Sequence, residues 1–221
     1  MSMVVGILAL AMAAIGVYVV YKAIRRRGAL MAWARSEGLM FDPGKDRGLK
    51  VRFGQFECLR RGHSQYAYNR IWGEWHGREF LGFDYHYETG HGRDRRMYTF
   101  SAVILRSSVP LKPLFIRPEG LLDKVTEFFG YDDIDFESAE FSRKFYVRSP
   151  DKRWAYDVIH PRTMEFLLRM PMFTIKLDGD YVIVYRSRQF KPEEFAAAGA
   201  VAEGILDRLP DYLVRELAGQ G

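Results

Sequence analysis

The stretch REFLGFDYHYE, residues 78–88, decides the fold class of this chain, because its residues alternate in character with a period of two. One face carries Leu81, Phe83, Tyr85 and Tyr87, and the other carries Phe80, Gly82, Asp84 and His86. Successive side chains of a strand point to opposite faces, so this pattern predicts a β-strand. A second strand-like run, YTFSAVIL, follows at residues 98–105. The segment between them, HYETGHGRDRR at 86–96, is therefore expected at a strand end and a hairpin tip.

Other hairpin and helix signals surround this pair of strands. His76-Gly77 is a short turn signal, and Asp178-Gly179 predicts a type I′ turn between two further strands. The segment VPLKPLF, residues 109–115, has the proline spacing of a connector. Helices are predicted for LLDKVTEFF at 121–129, HPRTMEFLLRMP at 160–171 and KPEEFAAAGAVAEGILDRL at 191–209. Hairpin strands with several short helices and a C-terminal helix predict an α+β fold with an antiparallel sheet.

The N-terminus carries a long apolar run, MVVGILALAMAAIGVYVVY, at residues 3–21. As a helix these residues would extend about 28 Å at ~1.5 Å per residue, close to the thickness of a bilayer core. We therefore expect a transmembrane helix ahead of the α+β domain. A cleaved signal peptide is the alternative, but its positive charge would precede the apolar region, and here the charge follows it.

The predicted domains are a transmembrane anchor at 1–22, a basic juxtamembrane helix and loop at 23–44, and an α+β domain at 45–221. Because Lys and Arg are retained on the cytoplasmic side, we expect a cell-membrane location with the N-terminus outside and the domain in the cytoplasm. The lipid bilayer is then a partner, and its surface is expected to contact a basic cluster made of Lys22, Arg25, Arg26 and Arg27.

The net charge of +5 does not indicate nucleic-acid binding. Residues 22–35 hold five basic residues and no acidic one, so the remainder of the chain sums to zero. A nucleic-acid-binding surface would need basic residues spread over a face of the domain. The single cysteine, Cys58, allows no disulfide within the chain and is expected to be a small buried residue.

The hairpin tip is the densest group of polar residues. His86, Glu88 and His91 are candidate metal ligands, but they match no known ligand spacing, and the nearby arginines would repel a dication. Neither a Walker pattern nor a GxGxxG motif is present, so no metal and no cofactor is predicted. The candidates for contact with an anion or a protein partner are Arg93, Arg95 and Arg96; a plain solvated turn is the alternative.

No catalytic motif emerges, so an enzyme is not favoured. The alternative is a membrane-tethered hydrolase whose site would gather Asp84, His86, Glu88 and His160 in space. A third hypothesis, a sensor of a small ligand, requires a largely apolar closed pocket. Asp84 itself is expected to form a cross-strand ion pair with Arg78 or with an arginine of another strand.

Four segments resemble an uncharacterised bacterial family of small membrane-anchored proteins that carry a domain of unknown function. These segments are NRIWGEWHGREFLGFDYHYETGHGRDRR at 69–96, LFIRPEG at 114–120, IDFESAEFSRKFYV at 134–147 and YDVIHPRTMEFLL at 156–168. The resemblance covers most of residues 40–190, and its most specific part is Gly73, Gly77 and Arg78 followed by Phe83-Asp84-Tyr85. It implies a membrane-tethered architecture and no particular activity.

The sequence thus predicts a single-pass membrane protein whose cytoplasmic domain acts as a binding or interaction module. The expected partner is another protein or the membrane surface. The oligomeric state is left open.

Overall fold

The structure is a computed structural model that describes residues 2–120 and 133–219. Its helices are α1 (Ser2–Ser36), α2 (Leu49–Arg52), α3 (Ala139–Lys144), α4 (Lys152–Val158), α5 (Pro161–Arg169), α6 (Pro192–Leu206) and α7 (Asp211–Ala218). Its strands are β1 (Met40–Asp42), β2 (His63–Trp75), β3 (Arg78–Thr89), β4 (Arg96–Pro118), β5 (Phe145–Arg148) and β6 (Thr174–Arg186). The predicted α+β class with an antiparallel sheet is confirmed.

One antiparallel sheet contains all six described strands, in the order β1-β2-β3-β4-β5, with β6 on the other edge of β4. Residues 101–105 of β4 pair with β3 on one side and with β6 on the other. Near its C-terminal end β4 pairs with β5 as well as with β6. The 23-residue strand β4 is therefore the centre of the sheet.

The predicted hairpin at Asp178-Gly179 is wrong, because β6 is one continuous strand. Both of its halves pair with β4, from Ile175 opposite Ile116 to Arg186 opposite Ser101. Gly179 does adopt a positive φ of 58°, but it lies at an irregularity in the pairing with β4 and not at a chain reversal. A glycine in this conformation commonly marks a β-bulge.

The predicted connector at 109–115 is also part of a strand. These residues belong to β4, and the pairing with β6 shifts register between Arg106 and Leu114. Proline lacks the N–H group that a regular ladder needs, so prolines in strands are confined to edges and bulges. Pro110 and Pro113 lie inside the irregular stretch, which explains why they do not end the strand.

Each face of the sheet packs against a hydrophobic core. The alternation predicted for β3 is confirmed: Phe83 and Tyr85 face a smaller core with Phe53, Phe56 and Cys58, whereas Phe80 faces the larger core. That larger core is built with α1, α4, α5, α6 and α7. Cys58 is 5% exposed, as expected of a small buried residue.

Helix α1 does not form the predicted membrane anchor. Over the ranges 2–120 and 133–219, no helix combines the length and apolar character needed to cross a membrane. The predictions of a transmembrane anchor, a single-pass membrane protein, and a cell-membrane location with a cytoplasmic domain are therefore wrong. Six of the 19 residues in the apolar run are Gly or Ala, which add little apolar surface. In the structure the run is part of a longer helix.

The second half of α1 belongs to the domain. It continues past the boundary expected between residues 22 and 23 and ends at Ser36. Leu30 and Ala34 are 0% exposed, and the Trp33 ring lies 5.8 Å from the ring of Phe195 in α6. Burying a leucine side chain fully contributes about 2 kcal/mol, so this packing fixes the helix on the sheet.

The predicted helices at 160–171 and 191–209 are confirmed as α5 and α6. Ser138 caps α3 by accepting a hydrogen bond from the backbone of Phe141, and Lys144 pairs with Glu140 at 2.9 Å. The helix predicted at 121–129 lies outside the described residues.

Helix α6 is tied to the end of β6 by the carboxylate of Glu194. Arg188 donates two hydrogen bonds to it, at 2.6 and 2.8 Å, and Arg186 forms a further ion pair with it. The backbone N–H of Lys191 donates to the same carboxylate at 2.8 Å, which caps the helix. The Arg188 hydrogen bonds, with the Lys191 amide and Arg186, hold the pKa of Glu194 at about 2 despite partial burial.

The network predicts a pH dependence. A folded-state pKa of about 2, below the ordinary 4.5, means that the contribution is present above pH 4.5 and is lost as the pH falls towards 2. Glu194→Gln should therefore destabilise the fold by about 1–2 kcal/mol at pH 7 and have little effect near pH 2. Thermal denaturation followed from pH 7 to 2 checks this, with the exposed neighbour variant Glu193→Gln as the control. An equal loss for both variants would contradict it.

Gly62, immediately before β2, has a φ of 65°, and a Cβ placed there would lie 2.0 Å from the carbonyl oxygen of Glu88. Gly77, in the β2–β3 turn, has a φ of 78°, and a Cβ at that position would meet nothing within 4 Å. The positive φ costs about 1–2 kcal/mol in either alanine variant, and overpacking adds about 1–3 kcal/mol at residue 62 alone. Chemical denaturation should show Gly62→Ala clearly less stable than Gly77→Ala; equal stabilities would refute the backbone clash.

Candidate functional site

The face of β3 that lies under α1 carries a buried carboxylate, Asp84, which is 0% exposed. Arg26 of α1 donates Nε to Oδ2 at 2.9 Å and Nη2 to Oδ1 at 2.6 Å, a bidentate pairing. The same guanidinium donates Nη1 to the carbonyl of Phe190 at 2.5 Å. The Arg26 side chain is 20% exposed, so this ion pair is largely removed from water.

Three more side chains complete the shell of Asp84. Asn69 donates to Oδ2 at 2.9 Å, Gln189 donates to Oδ2 at 3.2 Å, and the Ser101 hydroxyl donates to Oδ1. These residues come from β2, from the loop after β6 and from β4. Each carboxylate oxygen is therefore saturated, which makes Asp84 a structural anion and a poor candidate for a general base.

Asn69 holds a strained position in this shell. Its φ is 49°, in the left-handed region, at the register shift between Tyr68 and Ile71. Its Oδ1 is buried and accepts no hydrogen bond from the described residues. The adjacent Tyr68 hydroxyl accepts a hydrogen bond from Gln189 at 3.0 Å, and burial, followed by the nearby Asp84 charge, raises the pKa of Tyr68.

The face of β3 that carries Asp84 also carries His86 and Glu88, which lie closer to the hairpin tip. Arg95 donates Nη2 to Glu88 at 2.5 Å, and this hydrogen bond is the main reason why the pKa of Glu88 is lowered to about 2. His86 lies 3.3 Å from the same oxygen, and His63 is 3.7 Å from the other. Glu88 is therefore ionised at neutral pH and held by several partners, so it is not suited to act as a general acid.

The four residues of the hydrolase hypothesis do not form one site. Asp84, His86 and Glu88 follow one face of β3, but His160 lies immediately before the first turn of α5. There its Nε2 donates to the backbone carbonyl of Arg208 at 2.8 Å. Across the two described ranges, no group of three or more His, Cys, Asp or Glu residues could hold a metal ion.

The structure separates the basic residues that the sequence grouped. Arg26 is part of the Asp84 cluster, whereas Lys22, Arg25 and Arg27 are exposed, and their contact with a membrane surface stays a prediction. Arg95 is bound to Glu88; Arg93 and Arg96 are exposed at the hairpin tip, where an anion or partner contact also stays a prediction.

The cross-strand ion pair expected for Asp84 is wrong, because its partner comes from a helix, and Arg78 pairs instead with Asp207 at 2.7 Å. One signal in the sequence pointed to Arg26: it precedes Leu30 and Ala34 at intervals of four residues. Residues at this spacing share one helix face, and here that face lies on the sheet.

An open groove of about 540 Å³ lies beside α2, on the face of the sheet opposite to α1. Trp72 and Leu81 stand opposite each other on β2 and β3, and Phe53 and Tyr181 meet edge to face with ring centroids 5.0 Å apart. All four residues line the groove. Arg52, Arg70 and Glu79 add charged groups to its lining. The volume is in the range of small-ligand sites, although the groove is open, unlike the closed pocket of the sensor hypothesis.

Comparison with known proteins shows a shared fold. No family model matches the chain, and no curated protein matches it. The chain is similar to the crystal structure of the mycobacterial trehalose monomycolate transport factor A, TtfA, with a TM-score of 0.60 and 15% identity. The match covers 84% of this chain and 95% of that one. At this identity the likeness concerns the fold alone. The resemblance to an uncharacterised bacterial family stays a prediction.

Breaking the Arg26–Asp84 pair should destabilise the domain strongly. Arg26→Ala leaves the buried Asp84 carboxylate without its cation, and losing one partner of a buried pair costs about 3 kcal/mol or more. Arg25→Ala, one residue away on the exposed side, should cost less than about 0.5 kcal/mol. Denaturant titration of both variants measures the difference. A loss below about 1 kcal/mol for Arg26→Ala would show that the pair does not hold α1 on the sheet.

Proposed function

We propose that this chain is a non-catalytic binding module that takes part in the transport of a lipid, and that residues 5–24 of α1 attach it to a partner protein. The observation that carries this proposal is the exposure of that half of the helix. Eleven of its large apolar side chains are between 55% and 74% exposed, from Tyr21 to Leu10. They are Val5, Ile7, Leu10, Met12, Ile15, Val17, Tyr18, Val19, Val20, Tyr21 and Ile24.

The exposed side chains lie on every side of the helix. Ile15 and Val17 are two residues apart, about 200° around the axis, and are 63% and 71% exposed. A helix that is apolar all round is normally enclosed, and exposed apolar patches of this kind mark interaction sites. The domain itself covers only the second half of α1, so the first half requires a partner that surrounds it.

A helical protein surface suits this segment. Ala13, Ala14 and Gly16 lie between the large side chains of Met12, Ile15 and Val17, and a Cβ at Gly16 would meet nothing within 4 Å. Small residues leave depressions into which the side chains of a neighbouring helix fit. We therefore assign the segment to a helix-helix contact.

The context of lipid transport rests on the shared fold. The neighbour is named as a transport factor for trehalose monomycolate, which by its name is an acylated sugar. A non-catalytic role agrees with the site, since Asp84 and Glu88 are both engaged with arginines. An accessory factor needs no catalytic group of its own; it needs a stable domain and a surface for its partner.

The attachment is testable by site-specific photocrosslinking in the cells that produce the chain. A photoreactive side chain placed at Ile15, and separately at Val17, should yield the same discrete protein adduct, because an enclosed helix is contacted from both sides. The same group at the exposed Glu165 of α5 should not give that adduct. Adducts with lipid only, or none from either helix position, would overturn the assignment.

A matched pair of charge variants sharpens this test. Val19→Lys, within residues 5–24 of α1, should abolish the protein adduct formed from Ile15, whereas Val51→Lys should leave that adduct unchanged. Val51 is an equally apolar residue, 79% exposed, on α2 of the domain. The transport role predicts in addition that depletion of the chain makes a lipid accumulate, measured by mass spectrometry of total lipid extracts. Unchanged lipid composition would count against that role.

A further inference from the structure

We propose that the groove over Trp72 binds the neutral sugar part of an amphipathic ligand. This inference rests on the proposed function in one respect, since it names the part of the transported lipid that the domain contacts.

The floor of the groove is aromatic and aliphatic. Trp72 and Leu81 form a cross-strand pair on the face opposite α1, and both side chains are only partly buried. Tyr181 projects from β6, and its ring meets that of Phe53 at 87°. A sugar ring has an apolar face of C–H groups, and a flat aromatic ring such as Trp72 offers a surface of matching size.

The rim of the groove is charged but balanced. Asp46 accepts from Arg70 at 3.0 Å and also from Arg52, and Arg70 pairs in addition with Asp42. These contacts hold donors and acceptors in place beside the floor. A guanidinium has five N–H donors, so Arg52, whose side chain is 56% exposed, retains donors for the hydroxyl groups of a ligand.

The balance of charge selects among ligand classes. Glu79 pairs with Arg106 at 3.5 Å. The three carboxylates Asp42, Asp46 and Glu79 are thus matched by three arginines, so an anion would meet repulsion as well as attraction. An acyl chain would desolvate the rim charges without replacing their hydrogen bonds, which costs free energy. A neutral sugar suits both the floor and the rim of the groove, because its ring covers the aromatic floor and its hydroxyl groups form hydrogen bonds with the rim.

The first test is a titration of the full-length chain, kept in solution with a zwitterionic detergent that has no sugar group. The probes are trehalose, maltose and sucrose as neutral disaccharides, decanoate as an acyl chain, and inorganic phosphate as an anion. Tryptophan fluorescence and ligand-detected NMR report binding. At least one disaccharide should bind saturably, with a Kd of about 1 mM or tighter.

Variants locate the contact. Trp72→Ala should weaken disaccharide binding at least about ten-fold, whereas Trp72→Phe, which keeps an aromatic ring, should retain most of it. Arg52→Ala changes an exposed rim residue without disturbing the core and should weaken binding several-fold. Tyr156→Ala is the matched control, because Tyr156 is a 48% exposed aromatic residue on α4. Thermal denaturation of each variant confirms folding.

The inference is overturned if no disaccharide binds the wild-type chain, if Trp72→Ala and Arg52→Ala bind as well as wild type, or if only decanoate or phosphate binds. Crosslinking from Ile15 and disaccharide titration of the wild-type chain together separate the two proposals. A protein adduct without disaccharide binding would reject the groove assignment alone, and disaccharide binding without the adduct would reject the helix attachment alone. The Trp72→Ala chain should keep the Ile15 adduct while it loses disaccharide binding.

Discussion

Asp84 carries a charge that is completely withdrawn from water, and the arrangement of three elements and one loop around it follows from the need to satisfy it. Its oxygens take hydrogen bonds from Arg26 of α1, Asn69 of β2, Ser101 of β4 and Gln189 after β6. An unpaired buried charge would cost several kcal/mol, so none of these donors is free to move independently. The left-handed backbone of Asn69 is understandable in this light, since it places the amide within reach of the carboxylate.

The local elements of the fold were predictable because they follow from periodic patterns among residues that are close in sequence. The alternation in β3, the turn at His76-Gly77 and the helices α5 and α6 depend on residues close in sequence. The irregular course of β4 and the continuity of β6 were not predictable in this way. An Asp-Gly pair between two strand-like runs predicts a chain reversal. In the structure both halves of β6 instead pair with one long strand, β4. The sequence did not predict that strand, because Pro110 and Pro113 interrupt its pattern.

The candidate sites were harder to predict for the same reason. Sequence showed the row of Asp84, His86 and Glu88, but not that each acidic member is neutralised by an arginine, one of them 58 residues away. Arg26 was grouped with its basic neighbours because charge patterning ignores which side of a helix a residue occupies. The groove joins residues from α2, β2, β3 and β6, and no local pattern links these elements before the sheet is assembled.

Helix α1 also has a mechanical consequence. It runs from Ser2 to Ser36 as one helix, so its clamped second half and its projecting first half form a single rod. The 24 residues ahead of Arg26 extend about 36 Å at ~1.5 Å per residue. Such a rod acts as a lever arm, because a tilt of its N-terminal tip exerts a torque on the ion pair between Arg26 and Asp84. A partner protein that binds the tip of α1 therefore sets the orientation of the whole sheet, including the direction in which the Trp72 groove faces.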